Sequence, residues 1–239
     1  MPAYKVRAYL ALRAERRLPA RARLLTVGAG DAAAWSKKLA RPVTSVANGA
    51  ESAPRYRGKR NSPVVCFVGS LNYGPNIDSA HVLVKKIAPM VWEHVPDAKF
   101  VVAGRQPADS VLALSADQVE VLANVPSVMD VFNGSDVAVF PDEHGVGIRN
   151  SVREALAANV PVVATPVAAR EQAPHPLLTI EKDPTQFVDQ VVNHLNGGPP
   201  RLMSDTGSEV RTWTQTAADY LDQIHLAVND WHLKEGKTP

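Results

Sequence analysis

From residue 63 onward the chain alternates between two hydrophobic patterns. The first is a short unbroken apolar run: PVVCFV (63–68), KFVVA (99–103), VEVL (119–122), VAVF (137–140), VPVVA (160–164) and LLTI (177–180). Most of these runs meet Gly, Pro or Asn within two residues. Runs of this length without polar alternation predict strands covered on both sheet faces. The second pattern fills the gaps and predicts helices over 75–94, 107–114, 127–132, 150–158 and 184–195, with Pro75 in a first turn and a kink at Pro89. Strands alternating with helices predict an α/β fold, a doubly wound parallel sheet with helices on both faces.

The first 60 residues read differently. A helix is expected over 4–18, ended by Pro19, then a strand over 23–28, a helix over 31–38 capped by Asp31, a strand over 43–47 and an Asn48-Gly49 turn. Residues 50–62 (AESAPRYRGKRNS) are polar, basic and proline-containing, as expected of a linker. At the other end, 208–228 predicts an amphipathic helix. Val210, Trp213, Ala217, Tyr220, Leu221, Ile224 and Val228 repeat at spacings of three and four, and that stripe needs an apolar surface to cover.

Charge follows the same division. Residues 1–61 hold 14 Lys/Arg against 3 Asp/Glu, and residues 62–239 hold 12 against 21, so a net charge of +2 conceals +11 and −9. The 239 residues suit one domain and a half. One cysteine, Cys66, excludes an intramolecular disulfide framework and multi-cysteine metal sites, and in mid-strand it reads as an inert core thiol. No apolar run approaches the roughly 18 residues of a membrane span. Arg7, Arg13 and Glu15 interrupt any secretory signal, so a soluble, cytoplasmic protein is expected.

Ligands of open α/β sheets bind at the carboxyl ends of the strands. Four loops there carry candidate chemistry: 69–76 (GSLNYGPN), 104–107 (GRQP), 124–127 (NVPS) and 141–150 (PDEHGVGIRN). In the last, Gly145-Val146-Gly147 precedes a helix. Two glycines permit close backbone approach, and a helix N-terminus offers free N–H groups and the positive end of its dipole, which suits a phosphate. Arg149 adds a cation in the first turn, and Glu154, a turn further on, could accept hydrogen bonds from sugar hydroxyls. On spacing alone these glycines equally fit a tight turn, with Glu154 as a surface residue.

The stretch GVGIRNSVREALAANVPVVATP (145–166) resembles the donor-site segment of family 4 glycosyltransferases, G-x-G-x-x-N-K-x-x-E-A-x-A-x-G-x-P-V-V-A-T. The run VVCFVGSLNYGPNIDSAHVLVKKIAPMVWEHVPDAKFVVAGRQP (64–107) is similar to the opening of the same domain, VPSVMDVFNGSDVAVFP (125–141) to its middle, and VRTWTQTAADYLDQI (210–224) to its closing helix. The resemblance covers 63–229. It implies a GT-B architecture, two Rossmann-like domains facing a cleft, of which this chain carries the C-terminal, donor-binding one. The expected divisions are 1–61 (the tail of an N-terminal acceptor domain and linker), 62–200 (the nucleotide-sugar domain) and 201–239 (a closing helix and tail). The resemblance implies that Gly69 with Ser70 to Asn72, and Gly145, Gly147, Ile148 and Arg149, hold a pyrophosphate, and that Glu154 holds a ribose. Arg105 and Val125 lie where the base would rest. The implied reaction is sugar transfer from a nucleotide-sugar donor with retention, without cofactor or metal, since helix dipole and cations offset the diphosphate charge. No catalytic base is assigned.

Departures stand beside the match. Val146 occupies a position where relatives carry an acid or keep G-x-G. Ser151 replaces an expected lysine, Asn159 an expected glycine, and the Arg and Lys that often follow the first strand are absent. Arg170 either replaces a lost cation or is a solvated loop residue. His144 either donates to the diphosphate or is a plain loop histidine. Asp142-Glu143 reads as a solvated acidic turn, with a sugar hydroxyl or a metal as the alternative. His175, between two prolines, reads as structural. Residues 1–60 match only the last part of an acceptor domain, so a separate N-terminal domain or protein partner is expected and little transfer by the chain alone. The basic arm (Lys5, Arg7, Arg13, Arg16, Arg17, Arg21, Arg23) suits an anionic membrane surface better than nucleic acid, for which no aromatic interleaving or motif is found.

Overall fold

The computed structural model describes residues 22–51, 62–197 and 210–235, with the single positions Val6, Arg13, Leu18 and Pro19. Most of the helix expected over 4–18, most of the expected linker and the start of the expected last helix lie outside the described residues. The chain divides into two units, one holding residues up to Asn48 and from Trp213 onward, the other Gly49–Thr212.

In the first unit, β1 (Leu24–Thr26) and β2 (Val43–Ser45) pair in parallel around α1 (Ala29–Leu39). That helix starts at Ala29, after an extended Gly28, so the expected cap Asp31 instead lies in the first turn. A carboxylate there still favours the helix through the dipole. The C-terminal helix, Trp213–Glu235, belongs to this unit. It is tied to it by Thr216 Oγ1 donating to the Ala47 carbonyl (2.9 Å) and by an Arg23–Asp230 ion pair (2.8 Å).

The second unit is an α/β Rossmann-like domain. Its strands are β3 (Val64–Val68), β4 (Lys99–Gly104), β5 (Val119–Ala123), β6 (Val137–Phe140), β7 (Val162–Ala164) and β8 (Leu178–Ile180). They form one sheet in the order β5-β4-β3-β6-β7-β8, parallel throughout. β3, β6 and β7 are buried at every position, while the edge strands β5 and β8 are partly exposed. This explains why the central strands carry unbroken apolar runs. Phe67, Phe100, Phe132 and Phe140 are fully buried in the core that results.

Proline and asparagine account for the boundaries that moved. The helix expected over 75–94 runs as α2 (Gly74–Val82), a π-helical turn (Leu83–Ile87) and α3 (Ala88–Trp92). The Ala88 N–H donates to the Leu83 carbonyl, so the wider turn comes just before Pro89, whose ring would strain a regular i−4 bond. α4 (Asp109–Leu112) is shorter than expected, and α5 (Val128–Asn133) is capped by Ser127, the first residue of the helix expected over 127–132. β7 starts after Pro161, which has no N–H to offer the ladder. Asn159 sits at φ +56°, the left-handed conformation expected of a residue that replaces glycine past a helix end. α7 (Pro184–Leu195) is capped by Asp183, whose Oδ1 accepts from the Thr185 and Gln186 N–H groups. Among the described residues no helix is long and apolar enough to cross a membrane.

Candidate functional site

The strand order fixes where a ligand would sit. From β3 the chain winds outward through β4 to β5; it then returns to β6 and winds the other way through β7 to β8. The switch lies between β3 and β6, and a crevice opens at their carboxyl ends. The loops there are 69–73 and 141–149, two of the four singled out from sequence.

The loop after β3 is stitched to the one after β4. Gly69 N–H donates to the Ala103 carbonyl (3.0 Å), and Leu71 N–H to the Arg105 carbonyl (2.9 Å). A Cβ on Gly104 would fall 1.7 Å from the Gly69 oxygen, so only glycine fits. Arg105 is exposed and reaches Ser70 Oγ at 3.4 Å. Asn72 donates to Gln106 Oε1 (2.6 Å), and the Gln106 N–H donates to Asn124 Oδ1 (2.9 Å). Gln106 and Asn124 both have positive φ, 49° and 54°. Sequence reading did not single out this polar chain, although asparagine in a tight loop is the residue that tolerates such a backbone. Val125 is half-buried at the margin of the core.

The loop after β6 departs most from expectation. Asp142 is not a solvated turn residue; it is buried, with 6% of its surface exposed. Its Oδ1 accepts from Ser79 Oγ (2.7 Å) and its Oδ2 from Arg149 Nη1 (2.6 Å), while its backbone carbonyl accepts from Thr165 Oγ1 (2.7 Å). Arg149 in turn is no free cation in a first turn. Its guanidinium rests against the paired Phe67 and Phe140 rings, 4.9 and 4.8 Å from their centroids, and donates to Asn76 Oδ1 (2.9 Å) as well as to Asp142. Burial pushes its pKa down, against the pull of Asp142. Asn76 completes the link by donating to the Ser70 carbonyl (2.9 Å). One buried guanidinium thus ties the two crevice loops together. Acid and base seven residues apart (142 and 149) were the available signal, but sequence does not show that both turn inward.

Outside this buried pair the loop is open. Gly145 and Gly147 have φ of +147° and +83°, and a Cβ on either would meet nothing within 4 Å, so backbone conformation rather than crowding requires glycine. Val146 is 87% exposed and Ile148 half-buried. His144 Nε2 lies 3.0 Å from Asp78 Oδ2, both side chains being 59% exposed. Arg170 Nη1 donates to the Gly145 carbonyl at 3.4 Å. α6 (Asn150–Ala157) begins here with an extended Arg149 and no side-chain cap, so first-turn N–H groups face the loop. Ser151, where a lysine was expected, is buried. Glu154 is half-buried. Burial raises its pKa, and so, to a lesser extent, does Glu51, an acid from the expected linker that sequence reading had not placed near it.

Among the described residues no three His, Cys, Asp or Glu side chains converge as metal ligands would. A groove of about 620 Å³, lined in part by Val64, Lys99, Asp117 and Val119, opens at the opposite, amino ends of β3, β4 and β5. It has neither a glycine loop nor a helix N-terminus aimed into it.

A parallel sheet with helices between its strands and a switch point between β3 and β6 defines a Rossmann-like domain. Residues 62–197 match the family model for glycosyl transferases group 1, and the chain belongs to that family. Solved structures share the fold. A glycosyltransferase from Rickettsia africae superposes with a TM-score of 0.68 at 9% identity, over 91% of this chain and 66% of that one. WaaG, described as a glycosyltransferase involved in lipopolysaccharide biosynthesis, gives 0.64 at 16%, over 91% and 63%. TarM gives 0.60 at 13%, over 73% and 36%. The chain therefore spans between about a third and two-thirds of these structures. Comparison with curated proteins finds no significant match.

Proposed function

We propose that this chain carries the donor-binding part of a retaining glycosyltransferase that uses a nucleotide-diphosphate sugar. The observation that carries the reading is the facing of two loops at the sheet's switch point, Gly69–Tyr73 and Gly145–Arg149, with the uncapped start of α6 between them and Glu154 one turn along. That arrangement lies within the stretch matched to the family. The first-turn N–H groups and the dipole of α6 would receive the diphosphate. Glu154 would accept from the ribose hydroxyls, and the Arg105 and Val125 loops would flank the base. The protein would supply electrostatic stabilisation of the departing diphosphate without a metal. Titration calorimetry with UDP, GDP and their sugars tests this: binding that Glu154→Ala weakens at least tenfold is expected, and no binding to any of them sinks the reading.

A second reading shares the site but not independent catalysis. The chain would act as a nucleotide-sugar-binding subunit completed by a separate N-terminal domain or protein. It is favoured by the neutralised charge of Arg149; one neighbour, GtfA/B, is itself described as a complex. Under this reading 1–61 is the remnant of the acceptor domain, 62–200 the donor domain and 201–239 the closing segment. Robust turnover by the purified 239-residue chain would refute it. Both readings place the chain in the cytoplasm. The basic residues between 5 and 23, most of them outside the described residues, would rest on an anionic membrane face, and equal cosedimentation with anionic and neutral vesicles would exclude that contact.

A further inference from the structure

The cations near the crevice are not equivalent. Arg149 is the one sequence position suggests for an anionic ligand, yet its guanidinium is buried against two phenyl rings and neutralised by Asp142 at 2.6 Å. The His144 ring is engaged by Asp78, its Nε2 lying 3.0 Å from Oδ2. Arg105 stands on the β4 side, over Ser70. On the β7 side the exposed guanidinium is that of Arg170, 3.4 Å from the Gly145 carbonyl.

Arg170 also has a firm base. The turn that carries it is held by the Ala169 N–H donating to the Thr165 carbonyl (2.9 Å) and the Ala168 N–H donating to Thr165 Oγ1 (3.2 Å). Ala168 and Ala169 are buried, at 1% and 6% exposure. Thr165 Oγ1 donates to the Asp142 carbonyl, so this turn and the glycine loop share an anchor. A long side chain leaving a fixed root and ending at a glycine carbonyl holds its charge on the glycine loop that leads into α6. Its planar fork retains further N–H donors after one is given to Gly145.

We infer that Arg170 supplies the positive charge that meets the diphosphate of the donor, the role that the position of Arg149 suggests and its burial prevents. This rests on the donor-binding reading above. The guanidinium would move from the long Gly145 contact onto phosphate oxygens, forming charge-assisted hydrogen bonds that strengthen as the diphosphate gains charge on leaving. Arg170 would then discriminate diphosphates from monophosphates and contribute little to base or ribose recognition.

The test is calorimetry on the full chain with UDP, GDP, ADP, CDP and dTDP and the matching monophosphates, comparing the native chain with Arg170→Gln, Arg170→Lys and, as a charge control, Lys85→Gln. For whichever diphosphate binds, Arg170→Gln is expected to weaken affinity by about tenfold or more. The monophosphate should change by less than about threefold, Arg170→Lys should fall between, and Lys85→Gln should behave as the native chain. Unchanged diphosphate affinity in Arg170→Gln overturns the inference while leaving the donor site standing. Equal loss for mono- and diphosphate also overturns it, since it would mean that Arg170 only holds the glycine loop. No binding by the native chain refutes the donor-binding reading itself. Matching urea midpoints for the variants separate each outcome from misfolding.

Discussion

Replacing Arg149 decides between two roles, a cation awaiting an anionic ligand and a buried strut. The side chains of Arg149 and Asp142 are 11% and 7% exposed, with their charges 2.6 Å apart. Arg149→Met keeps much of the volume against Phe67 and Phe140 but leaves the Asp142 carboxylate buried with only Ser79 Oγ as a side-chain donor. Removing one partner of a buried pair costs about 3–5 kcal/mol, because the remaining charge is uncompensated, whereas replacing both partners by apolar groups is often close to neutral. Arg149→Met should therefore lose about 4 kcal/mol, and Asp142→Leu/Arg149→Met should recover most of it. With a urea dependence of about 2–3 kcal/mol/M, the single variant's midpoint falls by about 1.5 M. Urea unfolding followed by circular dichroism measures this, and hydrogen exchange in β3 and β6 assigns the loss to the second unit. A loss below about 1 kcal/mol for Arg149→Met, with no recovery in the double variant, would refute the strut and return Arg149 to the list of ligand cations.

Gly104→Ala should destabilise by about 3 kcal/mol or more, because its Cβ would lie 1.7 Å from a backbone oxygen that cannot swing aside; thermal unfolding measures it. Gly147→Ala meets no atoms but forces φ +83° on a residue with a Cβ, so a loss of about 1–2 kcal/mol, or a loop that relaxes and binds donor more weakly, is expected in parallel unfolding and calorimetry. Glu154 gives a pH signature. Burial, and then Glu51, raise its pKa in the folded state, so its protonated form is favoured there. That contribution to stability is complete below the ordinary carboxylate value and is lost as pH rises through the raised one. Glu154→Gln should flatten this limb. If Glu154 accepts from the ribose hydroxyls as proposed, it does so as the carboxylate, and nucleotide-sugar affinity should rise with pH through the same window. Glu51→Gln should move the midpoint to lower pH, and an unmoved midpoint would remove Glu51 from the site.

How much of this was legible in the sequence depends on whether a property is one-dimensional. Apolar runs of four to six residues report double-sided burial directly, so β3, β6 and β7 and the parallel sheet they form could be read from PVVCFV, VAVF and VPVVA. Asn159 at φ +56° was legible because few residues accept that conformation. The direction in which a polar side chain turns is not written in the chain. Asp142, taken for a solvated turn residue, points inward because Ser79, 63 residues away, and Arg149 meet it there. Glu51 was assigned to a linker, and its influence on Glu154 arises from a distance of more than 100 residues. Sequence places charges in loops, and only packing decides whether a charge faces solvent, ligand or another charge.

That distinction bears on how the site handles charge. A cation that also bridges the 69–73 and 141–149 loops is fixed by two aromatic rings, a carboxylate and an amide, so its geometry is rigid and its field is largely offset by Asp142. Such a group sets the spacing of the loops and lends little attraction to an incoming anion. Under the donor-binding reading, attraction comes from the dipole at the start of α6 and from the exposed guanidinium groups at the rim, Arg170 and Arg105. Their order of influence follows from geometry. Helix N–H groups act within the first turn, whereas long side chains reach the anion from outside and are screened by salt. Binding of a diphosphate should therefore weaken with ionic strength in the native chain and do so less steeply in Arg170→Gln. An identical salt dependence in both would mean that Arg170 takes no part in holding the anion.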